Sequence, residues 1–169
     1  MFYGSHEFLM DEKGRVSIPS QFVRLMKPED QDTFVMTRGL NGCIFCFPYT
    51  SFEHYTRAMR RLKLPTAERL KVMRIILAWA TNCTLDSQRR VKIPPRLAKH
   101  AGLGREVMIV GHQDRIEIWN RAKYEEYHGV AELGGEAYDY DSAASIVFVD
   151  MMPGADQSDR EEEPEPPDD

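Results

Sequence analysis

The chain has 169 residues, of which 42% are hydrophobic and 29% charged. That balance excludes a disordered or fibrous protein, and the length suits one ordinary domain or two small ones sharing a core. The longest apolar run, IILAWA (75–80), is far too short to cross a bilayer. MFYGSHEFLMDEKG at the start lacks the basic and apolar regions of a secretory signal, so the expected location is the cytoplasm, with no membrane partner. An odd number of cysteines, three, does not read as a disulfide framework there, and the NCT sequon at Asn82 carries no meaning.

The net charge of −5 is unevenly spread. Residues 150–169 hold nine acids and one base, Arg160, which leaves residues 1–149 with 21 Lys and Arg against 18 Asp and Glu. A mildly basic body with an acidic tail does not exclude a nucleic-acid partner, because clustering on one face matters more than the sum.

In chain order, DEKGRVSIP (11–19) is the first motif, and it returns as DSQRRVKIP (86–94). The repeat aligns Asp11 with Asp86, Arg15 with Arg90, Val16 with Val91, Ile18 with Ile93 and Pro19 with Pro94. Around the first DEKG turn, Phe8, Met10, Val16 and Ile18 alternate, as in a pair of strands. Each motif leads into a helix-like stretch, SQFVRLM (20–26) or PRLAKHAGL (95–103), then a strand, TFVMT (33–37) or EVMIV (106–110). A turn follows, RGLNG with the hairpin pair Asn41-Gly42 or GHQD, and then a second strand, CIFCF (43–47) or RIEIW (115–119). IEIW alternates as a half-buried strand does. Units of about 50 residues are marginal alone, and two packed together could share one core.

Between the copies the sequence predicts two helices. SFEHYTRAMRRL (51–62) is N-capped by Thr50 or Ser51; after Pro65 a second runs from a Thr66 cap to about Thr81. Leu70, Met73, Ile76, Leu77 and Ala80 share a face that Val72, Ile75 and Trp79 widen, which points to burial against another domain or subunit. SIVFV (145–149) reads as an extra strand or a loosely packed stretch, and from about Pro153 the acidic, Pro-rich chain is expected to be disordered. The organisation expected is a first unit over 1–52, a helical connector over 53–80, a second unit over 81–127, a segment of open assignment over 128–152 and a tail over 153–169.

D-x-x-x-R on a tight turn has a definite chemistry. Asp11 or Asp86 accepts backbone N–H bonds or pairs with the Arg and fixes the loop, and the Arg stands as a rigid fork for a phosphate or a guanine edge. The same residues also fit a bare turn with an internal ion pair and no ligand.

The N-terminal MFYGSHEFLMDEKGRVSIP, the second D-x-x-x-R and HAGLGREVMIVGHQDRIEIW (100–119) together resemble the MraZ family, over about residues 1–127. The resemblance implies a mixed α+β fold. It is a tandem pseudo-repeat of SpoVT/AbrB-like double-psi, swapped-hairpin β units, joined and packed by helices. It implies a sequence-specific DNA-binding transcriptional regulator, a repressor of the division and cell-wall gene cluster that includes its own promoter. Such a regulator binds double-stranded DNA at promoter repeats as a ring-shaped homo-oligomer, an octamer or larger, in the cytoplasm at the nucleoid. It implies no enzymatic activity and no cofactor. The motif maps onto Asp11 and Arg15 and onto Asp86 and Arg90. Arg15 is the leading DNA contact with Lys13 beside it; Arg24, Arg90, Lys92 and Arg96 are weaker candidates, and Lys92 and Arg96 read more readily as solvated charges. Asp11, Asp86 and Gly14 shape the loops. Where the family has Gly, as at Gly14, the second copy has Arg89. That substitution either changes the turn or adds a phosphate contact.

Two other classes have some support in the sequence. Cys43 and Cys46 form a CxxC, but no second pair exists, and residues three apart on a strand point to opposite faces. An antitoxin-like module engaging a partner through its acidic tail is the second reading, against which stands the presence of two units rather than one.

Overall fold

The computed structural model describes residues 1–61 and 66–132; the SIVFV stretch and the acidic tail lie outside them. The strands are β1 (Ser5–Leu9), β2 (Arg15–Ser17), β3 (Thr33–Arg38), β4 (Ile44–Pro48), β5 (Thr81–Thr84), β6 (Arg90–Lys92), β7 (Glu106–His112) and β8 (Arg115–Asn120). The helices are α1 (Ser20–Val23), α2 (Tyr49–Arg60), α3 (Thr66–Trp79), α4 (Pro95–Ala101) and α5 (Arg121–Glu132). The fold is mixed α+β with antiparallel pairing in every ladder of the described residues.

The two copies interlock. One six-stranded sheet runs β1-β7-β8-β4-β3-β5, and a two-stranded ribbon is β2-β6. β1 and β2 therefore do not pair with each other around the DEKG turn, contrary to the expected first strand pair. β1 pairs with β7 of the other copy, Glu7 opposite Met108, and β2 pairs with β6, Val16 opposite Val91. Alternation fixes which face a strand buries; it does not choose the partner. The expected hairpin at Asn41-Gly42 is present, with φ of 52° and 79° at its two central residues and Cys43 accepting from the Gly39 N–H at 3.0 Å.

The sheet is covered on both faces. On one lie Phe34, Met36, Ile44, Cys46, Val107, Ile109, Ile116 and Ile118, packed with Val16, Ile18, Val91 and Ile93 of the ribbon, Phe22 of α1 and Leu97 of α4. On the other lie Cys43, Phe45, Phe47, Met108 and Trp119, against Phe52 and Tyr55 of α2 and Tyr124 of α5. β8 is thus buried on both faces rather than half-buried. Glu117 accepts from the Trp119 indole N–H at 3.1 Å and from Arg115 at 3.4 Å, which offsets the cost of burying its charge.

The helix starts differ from the expected caps. α2 begins at Tyr49 after Pro48, not at Thr50 or Ser51, and no side chain of its own cap bonds it. The buried Asp30 does so from a distance: its Oδ1 accepts from the Thr50 N–H at 2.9 Å and from the Thr50 hydroxyl at 2.8 Å. α3 ends at Trp79. Met73 is buried and the Thr37 hydroxyl donates to the Ile76 carbonyl at 2.7 Å, whereas Leu70, Val72, Ile75 and Leu77 are exposed within this chain.

Candidate nucleic-acid interface

The two D-x-x-x-R loops close by the same bonds. In the first, Gly14 N–H donates to the Asp11 carbonyl at 2.9 Å and Asp11 N–H to the Arg15 carbonyl at 2.9 Å. In the second, Arg89 N–H donates to Asp86 at 2.9 Å and Asp86 N–H to Arg90 at 2.8 Å. The carboxylates fasten the loops from inside. Asp11 Oδ1 accepts from the backbone N–H groups of Lys13 and Arg15, each at 2.9 Å, and Oδ2 from Arg15 Nε at 2.8 Å. Asp86 repeats this with Gln88, Arg90 and Arg90 Nε, each at 2.9 Å. The backbone N–H of Arg15, and then its side chain, hold the Asp11 carboxyl below the usual carboxylate range; Arg90 does the same to Asp86.

Arg89 does not change the turn. It takes φ of 58°, close to the 73° of Gly14, so the second turn keeps its shape and a bulky residue bears the left-handed backbone. The loops then sit at opposite ends of one ribbon. Ile18 N–H donates to the Arg89 carbonyl at 3.0 Å and Ile93 N–H to the Gly14 carbonyl at 2.9 Å, two bonds related by an approximate twofold through Val16 and Val91. Val16 and Val91 are buried inward, and period-two alternation turns Arg15, Ser17, Arg90 and Lys92 outward.

Arg15 and Arg90 are braces as well as cations. Their side chains are only 30% and 25% exposed, each on its own aspartate, and Arg90 Nη1 also lies 3.8 Å from Asp11. Lys13, Arg89 and Lys92 are exposed and form no ion pair with another described residue. Lys92 stands directly across from Arg15. Arg24 is the C-cap of α1 and belongs to neither loop nor ribbon, and Arg96 is on α4, donating to the Thr81 hydroxyl at 3.2 Å. Ser17, opposite Arg90, joins the outward face unannounced by the motif; alternation along RVSI would have found it. Cys43 and Cys46 fall in the cores on opposite faces of the sheet. Among the described residues no group of three or more His, Cys, Asp or Glu is placed to hold a metal, and no helix is long and apolar enough to cross a membrane.

The two loops and β2–β6 thus form a basic two-stranded ribbon with matched, internally braced tips. The family model described as "MraZ protein, putative antitoxin-like" matches residues 1–74 and 76–137. Similar proteins carry the name "Transcriptional regulator MraZ". That of Natranaerobius thermophilus is 34% identical over 89% of this chain and 100% of its own, and that of Paenarthrobacter aurescens is 35% identical over 87% and 100%. That of Pediococcus pentosaceus is 37% identical over 75% of this chain and 85% of its own. The chain belongs to the MraZ family.

Proposed function

We propose that this protein is a transcription regulator that binds double-stranded DNA sequence-specifically through the β2–β6 ribbon, with no catalytic step. The observation that carries the reading is the joining of both loops on one ribbon. A two-stranded ribbon fits the major groove, and it brings Arg15, Lys92, Arg90, Lys13 and Arg89 to one surface. The relatives' name supports regulation of transcription. The finer reading is repression, by occluding promoter repeats of the division and cell-wall gene cluster, at the nucleoid in the cytoplasm. The two repeat units, 1–52 and 81–127, supply one loop each.

One ribbon makes few phosphate contacts, so its affinity is low and salt-sensitive. Display on a homo-oligomeric ring makes each further contact intramolecular, and avidity rises on the order of 100-fold. The exposed apolar residues of α3, Leu70 and Leu77 on one side and Val72 and Ile75 on the other, favour such self-association.

The test is fluorescence anisotropy on duplex DNA from the protein's own upstream region against random duplex, at several salt concentrations, for wild type, Arg15→Ala and Lys13→Ala. Arg15→Ala removes a brace and a cation together, and Lys13→Ala removes a cation alone. Preference for the upstream duplex, reduced in both variants, is expected. Equal binding to both duplexes by the wild type overturns the reading and directs attention to protein partners.

A further inference from the structure

Where β6 runs into α4, a second cationic feature adjoins the ribbon. The guanidinium carbons of Arg38, at the end of β3, and Arg96, on α4, lie 5.1 Å and 5.4 Å from the centroid of the Trp79 ring. Both arginines are exposed, and neither forms an ion pair with an acid among the described residues. Arg15, Arg90, Arg115 and Arg121 all do. Two like charges gathered on one indole without a counter-anion among the described residues leave an electropositive fork held by cation–π contact. His100 registers the field. Its ring stands 5.8 Å from Trp79, and burial, followed by the charge of Arg38, holds its pKa below the ordinary value.

The repeat shows that this fork is not a requirement of the fold. A shift of 75 residues carries His6 onto Thr81, Gln21 onto Arg96 and Gly4 onto Trp79. The first copy keeps the same strand-to-helix contact, Gln21 Nε2 to His6 Nε2 at 2.6 Å, where the second has Arg96 to Thr81 at 3.2 Å. At this position the first copy therefore has a Gln21–His6 contact where the second carries a guanidinium on an indole. Arg96 follows Lys92 of the ribbon by four residues, a span of at most about 14 Å.

We propose that Arg38 and Arg96, gathered over Trp79, form a phosphate clamp that grips the DNA backbone beyond one end of the ribbon. The proposal rests on the DNA-binding reading above and deepens it. The ribbon reads the groove, and the clamp adds contacts that carry no base information but fix which way round the near-symmetric ribbon lies.

The experiment compares wild type, the double variant Arg38→Gln/Arg96→Gln and Arg96→Lys on upstream and random duplexes, with thermal unfolding to show that all are folded. Each lost phosphate contact lowers the slope of log K against log salt by about 0.9. The double variant is expected to lose between about 1 and 2 units of slope and to weaken both duplexes by the same factor, while Arg96→Lys keeps most of the slope. An unchanged slope in the double variant overturns the proposal. A parallel arm titrates the DNA-free protein with inorganic pyrophosphate, followed by tryptophan emission. A saturable response abolished in the double variant, with DNA slopes unaltered, assigns the fork to a free phosphate ligand and likewise overturns the DNA clamp. Should wild type show no preference for the upstream duplex, the sequence-specific reading fails, and the slope on random duplex still decides the clamp.

Discussion

Arg90 reaches two aspartates: it is bonded to Asp86 of its own loop, and its Nη1 lies 3.8 Å from Asp11 of the other. Two loops 75 residues apart in sequence thus meet in one cluster of ion pairs.

That cluster makes acid stability predictable in sign. Asp11 and Asp86 have depressed pKa values in the folded protein, so they stabilise it above the unfolded carboxylate pKa of about 4. The contribution is lost as pH falls from there through the lower folded value. Urea midpoints measured between about pH 2 and pH 6 are expected to fall more steeply below pH 4 for wild type than for Asp11→Asn/Asp86→Asn. Parallel acid limbs would mean that the carboxylates are not held as their hydrogen bonds indicate.

Arg89 offers a stability gain at the expense of a cation. Its φ of 58° costs a side-chain-bearing residue about 1 kcal/mol, which glycine avoids. Arg89→Gly is expected to raise unfolding stability by up to about 1 kcal/mol while weakening DNA binding. Gly14→Ala, at φ of 73°, is expected to cost about 1 kcal/mol although the nearest atom to a new Cβ, the Ile93 carbonyl oxygen, is 3.9 Å away. Denaturant titration separates the two signs.

Gly111 is constrained by space. A Cβ there would stand 2.6 Å from the Phe2 carbonyl carbon and the Tyr3 Cα, both backbone atoms that cannot rotate aside. Gly111→Ala is expected to push the N-terminal segment off β7, to withdraw Phe2 from its edge-on contact with Phe22, and to destabilise by between about 1 and 3 kcal/mol. Amide exchange at Phe2 and Gln113, which pair in the native chain, would report the displacement directly.

The thiols are expected to be inert. Burial raises Cys83 to about 11 and pushes Cys43 and Cys46 further up, so at neutral pH the reactive thiolate is scarce as well as shielded. Ellman's reagent at pH 7.5 should label all three quickly only in denaturant, and at least about tenfold more slowly in the native protein. One fast native thiol would show that a cysteine reaches solvent.

Much of this was legible in the chain. The repeat announced itself at Asp11–Pro19 and Asp86–Pro94, and the D-x-x-x-R spacing foretold the Asp–Arg bond that both loops make. β3, β4, β7 and β8 followed from alternation and turn residues. Pairing did not, because Val16 and Ile18 bury the same face whichever strand lies beside them. The start of α2 was misplaced because its cap is Asp30, 20 residues away, and tertiary caps leave no local signature. At the interface the sequence identified the cations but not their division of labour. That Arg15 and Arg90 are held by aspartates while Lys13 and Arg89 stand free is a matter of geometry. The fork at Trp79 draws on β3, α3 and α4, which no single stretch of sequence brings together.

The exchange of strands between the copies has a consequence for how the protein comes into being. β1 is synthesised well before its partner β7, which ends at His112, and Phe2 bridges Gln113. A half-length nascent chain therefore carries an unsatisfied strand edge and a bare apolar face, with nothing in its own half to close them. The first repeat waits on the second, and synthesis of β7 is what allows β1 to close.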